Sequence, residues 1–345
     1  MTSMMRAEAL QAPQAVARLL AADGATYSAL AADLQADEPQ ALVTVARGSS
    51  DHAAHYMAYL VMSRLGRLVT SLPMSLVTLY PTRLRCAGLV SLAFSQSGQS
   101  PDLVAPSRFF SDGGARTVAF VNDTASPLAR ACQWVLPLHA GLEASVAATK
   151  SFIAQLAAGA RLVATWEAQA GDAVASLLAA LAALPAALDA AARCDWQAAL
   201  PVLSGADRLF VIGRGPGLAV AMEAALKLKE TCGMQAEAFS GAELRHGPMA
   251  LVDEGYPLLI FAPRGPAQAG LLELARDMRQ RGARVLLAAP AGTAGAELPL
   301  VPTGHEDLDP IAAVQSFYPM VEQLARERGL DPDAPRHLAK VTRTR

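Results

Sequence analysis

Short apolar runs recur along the chain with longer mixed stretches between them. In the first half they lie at 41–46 (ALVTVA), 67–71, 89–94 (LVSLAF), 117–121 (TVAFV) and 134–138 (WVLPL). The second half repeats the order at 209–213 (LFVIG), 236–239, 257–262 (PLLIFA), 285–288 (VLLA) and 298–301. The runs are rich in β-branched residues or leucine, and they are continuous rather than alternating. Strands covered on both faces read this way, as in parallel sheets. Helix-like stretches separate them, so the pattern predicts an α/β protein with two βαβ domains, each with a five-stranded parallel sheet. The repeat extends to the loops. RGSS at 47–50 follows the first strand and GRGPG at 213–217 follows its counterpart, an offset of about 166 residues.

The segments outside the two repeats read as helical. Residues 1–40 predict one or two helices packed on the first domain. Alanine dominates 152–192 and favours helices joining the domains, with Pro185 breaking or starting one of them. The expected organisation is a helical segment at 1–40, domains at 41–165 and 201–330, a helical linker at 166–200 and a tail at 331–345.

Composition narrows the class. The 345 residues are 52% apolar and 17% charged, with 31 acidic and 29 basic side chains and a net charge of −2. That suits a soluble globular protein of about two domains. It lacks the basic excess of a nucleic-acid binder, but a local site for a small anion needs no such excess. The longest apolar run, 173–188, is too short to span a bilayer. The opening MTSMMRAEALQAPQAV has no apolar core of a signal peptide. Cys86, Cys132, Cys194 and Cys232 fit no zinc spacing and read as reduced, buried thiols. The expectation is a cytoplasmic protein without a membrane or nucleic-acid partner.

Four segments can carry chemistry. Ser95, Gln96, Ser97 and Ser100, with Gly98 among them, follow a buried strand and precede Pro101 and Asp102, where a helix can begin. Ligands of open α/β sheets bind beyond the carboxyl ends of strands, and helix N-termini favour anions. Three hydroxyls and an amide suit a phosphate monoester; a lone cap would need one serine. Gly48, Ser49 and Ser50 occupy the equivalent place after the first strand. Next, Glu223, Lys227 and Glu230 fall within a sector of roughly 60° on a helix, either a solvated ion-pair stripe or a functional cluster. Ala221, Ala225, Leu228 and Cys232 fall opposite and would face the core. Then Glu237, Glu243 and His246 crowd a segment broken by Gly241 and Gly247, where His246 is a surface histidine or an acid–base group. Finally, Lys340 lies in a basic tail that is either a solvated end or a flap over a site. His52 and His55 sit at helical spacing, but with only Asp51 near them no metal site is expected. GRGPG lacks the last glycine of a dinucleotide loop.

Together these residues resemble the SIS (sugar isomerase) domain family. The likeness runs from about residue 41 to the C-terminus. It rests on ARGSSDHA (46–53), SQSGQSPD (95–102), VAATKS (146–151), ALKLKE (225–230), AEAFSGAELRHGP (236–248) and HLAKVT (337–342). The sequence is similar to the isomerase half of glucosamine-6-phosphate synthase, and closer still to the SIS-type glucosamine-6-phosphate deaminases. The resemblance implies two flavodoxin-like domains, each an αβα sandwich, and a homodimer. Phosphate ligands would be Ser49, Ser50, Ser95, Gln96, Ser97 and Ser100, with Gly48, Val146, Ala148, Glu223 and Lys227 lining the sugar. Glu230 would move a proton between C1 and C2. His246, from the neighbouring subunit, would open the ring, and Lys340, in a tail folded over the site, would be a Schiff-base lysine. No metal or organic cofactor is implied.

The sequence also departs from the synthases. They carry a glutaminase domain with an N-terminal cysteine nucleophile, whereas no cysteine precedes Cys86 here, so self-supplied ammonia from glutamine is not expected. Ala148 replaces a serine and Ser100 a threonine. The expected reaction is glucosamine 6-phosphate plus water to fructose 6-phosphate plus ammonia. Another phosphosugar isomerase, a galactosamine-6-phosphate deaminase or a fructosamine-phosphate deglycase would use the same groups. A non-catalytic sugar-phosphate sensor would have no need of Glu230, His246 and Lys340 together.

Overall fold

All ten apolar runs form strands. In the computed structural model, which describes residues 2–169 and 176–340, they are β1 (Ala41–Val45), β2 (Val69–Ser71), β3 (Leu89–Ser95), β4 (Arg116–Val121) and β5 (Trp134–Pro137), then β6 (Arg208–Gly213), β7 (Gln235–Ser240), β8 (Pro257–Phe261), β9 (Arg284–Pro290) and β10 (Leu298–Leu300). They make two five-stranded sheets, ordered β2-β1-β3-β4-β5 and β10-β9-β8-β6-β7. Read from its β7 edge, the second sheet has the order of the first. The paired strands are parallel throughout, as in β1 with β3 and β6 with β8. This is the 2-1-3-4-5 order of doubly wound sheets, which leaves a crevice between the first and third strands.

The chain divides into two compact units. One comprises Gln14–Glu143, Lys150–Ala182 and Ala339–Arg345 and carries the first sheet. The other comprises Met1–Pro13, Ala144–Thr149 and Ala183–Leu338 and carries the second.

In the first-sheet unit, β3 is buried along nearly its whole length, and Phe94 stacks on Phe120 at 4.3 Å. The Ser49–Leu65 helix packs on the Lys150–Gln169 helix. Gly159 permits this close approach, since a Cβ there would meet the Met57 Cβ at 3.1 Å. In the second-sheet unit, Ile212, Leu258, Ile260, Leu271, Leu274 and Leu287 form the core. Burying each such side chain is worth about 1.5–3 kcal/mol. The Gly217–Cys232 and Asp309–Glu327 helices pack together in this unit.

Two details differ from the sequence reading. Residues 2–40 hold three helices, Met4–Ala9, Ala12–Ala21 and Gly24–Ala36, and the first belongs to the second-sheet unit. Its start is tied there by Asp333, which accepts from the Met4 and Met5 N–H groups at 2.8 and 2.6 Å. Pro185 lies inside the Ser176–Ala191 helix rather than at an end. Leu177, Leu181, Leu184 and Leu188 are buried there, so one apolar stripe holds the helix across the missing N–H. Residues 170–175 of the expected linker, which include the start of the 173–188 apolar run, and 341–345 of the expected tail lie outside the described residues. Among the described residues no helix is long and apolar enough to cross a membrane.

Candidate functional site

In the first-sheet unit, two loops and the tail lysine meet in one pocket. Its volume is about 350 Å³, and Gly48, Ser50, Ser95, Gln96, Ser97, Ser100 and Lys340 are in its wall. Gly48 ends β1's loop with φ +53° and precedes the Ser49–Leu65 helix. Ser100 holds the N-cap position of the Pro101–Asp112 helix, yet its side chain makes no capping bond. Two helix N-termini therefore face the same space, a favourable setting for an anion. Ser49 starts its helix but is not part of the wall.

The SQSGQS loop is tightly folded. Gly98 has φ +63°, and a Cβ on it would fall 2.2 Å from the Ser126 Oγ. Ser95 Oγ accepts from the Gly98 N–H at 2.9 Å, and Ser97 Oγ accepts from the Gln99 N–H at 3.3 Å. Each hydroxyl is thereby oriented and keeps its own proton to donate. Ser50 Oγ accepts from Gln155 Nε2 at 3.0 Å, and Gln155 is buried. Arg47 and Asp102 also line the pocket, joined at 3.2 Å. Their pairing is not legible in the sequence, because it spans 55 positions. The Arg47 side chain is 60% exposed, so the pair adds little stability.

In the second-sheet unit, Glu223, Lys227 and Glu230 are not a solvated stripe. Glu223 is 0% and Lys227 1% exposed. Lys227 Nζ lies 3.5 Å from Glu223 Oε1 and also bonds Glu230. The Tyr318 hydroxyl donates to Glu223 Oε1 at 3.3 Å. Burial pushes the Lys227 ammonium down, but the two carboxylates outweigh it and leave it above its ordinary range. Ala221, Ala225, Leu228 and Cys232 are buried too, so the helix is enclosed on both sides. Glu230 keeps 20% of its side chain exposed. It lines a cavity of about 640 Å³ with Lys229, Arg328 and Arg336.

His246 ends a short 3-10 turn, Glu243–His246, and is exposed outside that cavity's wall. Glu237 and Glu243 are exposed as well. Val146 and Ala148 are half-buried in this unit, with the Val146 N–H donating to the Asp333 carbonyl at 3.2 Å. Of the four thiols, Cys86 and Cys232 are buried and Cys132 and Cys194 half-buried. Among the described residues no three His, Cys, Asp or Glu side chains gather as metal ligands.

Two repeated sheets, with polar residues beyond the carboxyl ends of their strands, define a tandem doubly wound α/β protein. Residues 37–164 and 202–289 match the SIS domain, and the chain belongs to that family. It is 44% identical to a candidate phosphosugar isomerase from Silicibacter pomeroyi, with TM-score 0.89 over 96% of this chain and 100% of that one. It is 32% identical over 321 residues to a glutamine–fructose-6-phosphate aminotransferase from Zymomonas mobilis, covering 89% of this chain and 53% of that protein. The chain thus spans about half the length of the curated relatives it matches. A glucosamine-6-phosphate deaminase from Thermotoga maritima shares the fold, with TM-score 0.78 and 20% identity over 99% of this chain and 100% of that one.

Proposed function

We propose that the protein converts glucosamine 6-phosphate and water to fructose 6-phosphate and ammonia. The observation that carries this reading is the pocket where both loops and Lys340 meet. Its hydroxyls and helix N-termini suit a phosphate monoester, and the amine beside them suits a sugar carbonyl. Anchoring the phosphate fixes C1 and C2, so binding energy is used for placement.

His246 moves the proton that opens the ring. Glu230 takes the C2 proton and returns it at C1 through an enolamine. Water hydrolyses the resulting C2 imine and ammonia departs. Val146, Ala148, Glu223 and Lys227 are assigned to the sugar, and Ser49 to the phosphate, on the family resemblance. The working unit is a homodimer in a cytoplasmic setting, with His246 serving the neighbouring subunit's site and the tail folded over it. The exposure of His246 supports that arrangement.

The Glu230→Gln variant tests the assignment. It should bind fructose 6-phosphate as the parent does and release ammonia about a hundredfold or more slowly. Full turnover in Glu230→Gln would remove the proton shuttle from the account.

A further inference from the structure

Glu143 has no part in the scheme above. It lies between β5 and the Lys150–Gln169 helix, and its side chain is 0% exposed. The Ser151 N–H donates to Oε1 at 3.0 Å and the Ser151 hydroxyl to Oε2 at 2.6 Å. Lys340 Nζ donates to the same Oε2 at 3.2 Å. Lys150, buried beside it, donates to the Leu142 carbonyl. A buried carboxylate needs fixed donors, and the start of the helix supplies them through Ser151. The tail lysine is brought to it as well, from 197 positions away. That lysine also stands in the wall of the loop pocket with 25% of its side chain exposed. One end of the contact is anchored and dry, while the other opens on the pocket.

We propose that Glu143 is a positioning residue that aims Lys340 into the pocket and holds its proton during attack on a ketose carbonyl. The inference rests on the sugar-phosphate reading of that pocket. The Lys340 ammonium gives one proton to Glu143, and the amine lone pair forms the C–N bond as the carbonyl π pair moves to oxygen. That oxygen takes one proton from the nitrogen and one back from Glu143 through pocket water, and leaves as water. The nitrogen lone pair then closes the iminium. Ammonium plus ketone become iminium plus water, with no net change in protons or electrons.

Borohydride trapping with fructose 6-phosphate as the probe tests this. The parent, Glu143→Gln and Glu143→Asp are reduced across a pH series, and the sugar on Lys340 is read by mass spectrometry. The parent should label at Lys340. Glu143→Gln should label about a hundredfold more slowly near neutrality and recover in alkali, where hydroxide takes the proton. Glu143→Asp should regain part of the rate. A Glu143→Gln protein that labels at the parent rate throughout the series would overturn the proposal, whatever its thermal stability.

Should Glu143→Gln fail to fold, Ser151→Ala keeps the carboxylate and loosens its Oε2. Slower labelling supports the role, and an unchanged rate contradicts it. Ammonia release is assayed on the same parent sample. Labelling without ammonia sinks the deaminase reading alone; ammonia without labelling sinks this one alone.

Discussion

Lys227 shows how much one side chain can hold together. Its ammonium sits between Glu223 and Glu230, with Tyr318 on the far side of Glu223. Removing one partner of a buried pair leaves an uncompensated charge and costs about 3–5 kcal/mol. Lys227→Met should lose stability on that scale in urea unfolding, and its ammonia release should fall with it. The pH dependence follows from proton counting. Burial pushes the Cys232 and Cys132 thiols up to about 11 from an ordinary 9.0. Between those values the unfolded chain has lost thiol protons that the folded chain keeps, so stability falls as pH rises. Lys227, raised above its ordinary 10.5, adds stability that is complete below that pH and lost above it. Urea midpoints should therefore decline steadily from about pH 9 upward; a flat alkaline profile would contradict the burial of these groups. At this scale the sequence was a partial guide. Glu223, Lys227 and Glu230 shared a helical face, but their burial depends on the Asp309–Glu327 helix, and Tyr318 lies 95 positions from Glu223. The Glu143–Lys340 pair spans 197 positions, and no local pattern announces it.

The strands were readable because a parallel strand buried on both faces leaves a continuous apolar run. The SQSGQS loop was readable because its residue types match the demands of its turn. Gly98 is the point where that demand is strictest. Gly98→Ala would place a methyl against Ser126 in a backbone conformation that disfavours a side chain. It should cost about 1–3 kcal/mol of stability. The displaced loop should weaken fructose 6-phosphate binding about tenfold or more, as read by calorimetry. Affinity equal to the parent's would show that the loop's shape does not govern the proposed anion site. Helix limits were less readable. Pro185 is carried inside a helix because four buried leucines outweigh one missing hydrogen bond. The first N-terminal helix follows Asp333 and the second-sheet unit, a tertiary contact that local propensity does not report.

At the scale of the whole molecule, a net charge of −2 is compatible with an anionic substrate because the pocket supplies hydroxyls and helix ends locally. The duplication puts one doubly wound sheet in each unit, with the RGSS and SQSGQS loops on the first and the Glu230 cluster on the second. The proposed homodimer with a shared site makes a quantitative prediction. Mixed equally, Glu230→Gln and His246→Asn subunits should restore about a quarter of the sites, since half the dimers are mixed and each has one intact pair. No recovery would place His246 and Glu230 in the same subunit's site. The most direct measurement of the central claim remains turnover by the purified protein. Given glucosamine 6-phosphate, with galactosamine 6-phosphate alongside, it should release ammonia and fructose 6-phosphate in equal amounts from the glucosamine compound. Tight binding of sugar phosphates with no ammonia from either would contradict the account and mark the protein as a phosphosugar sensor or a deglycase.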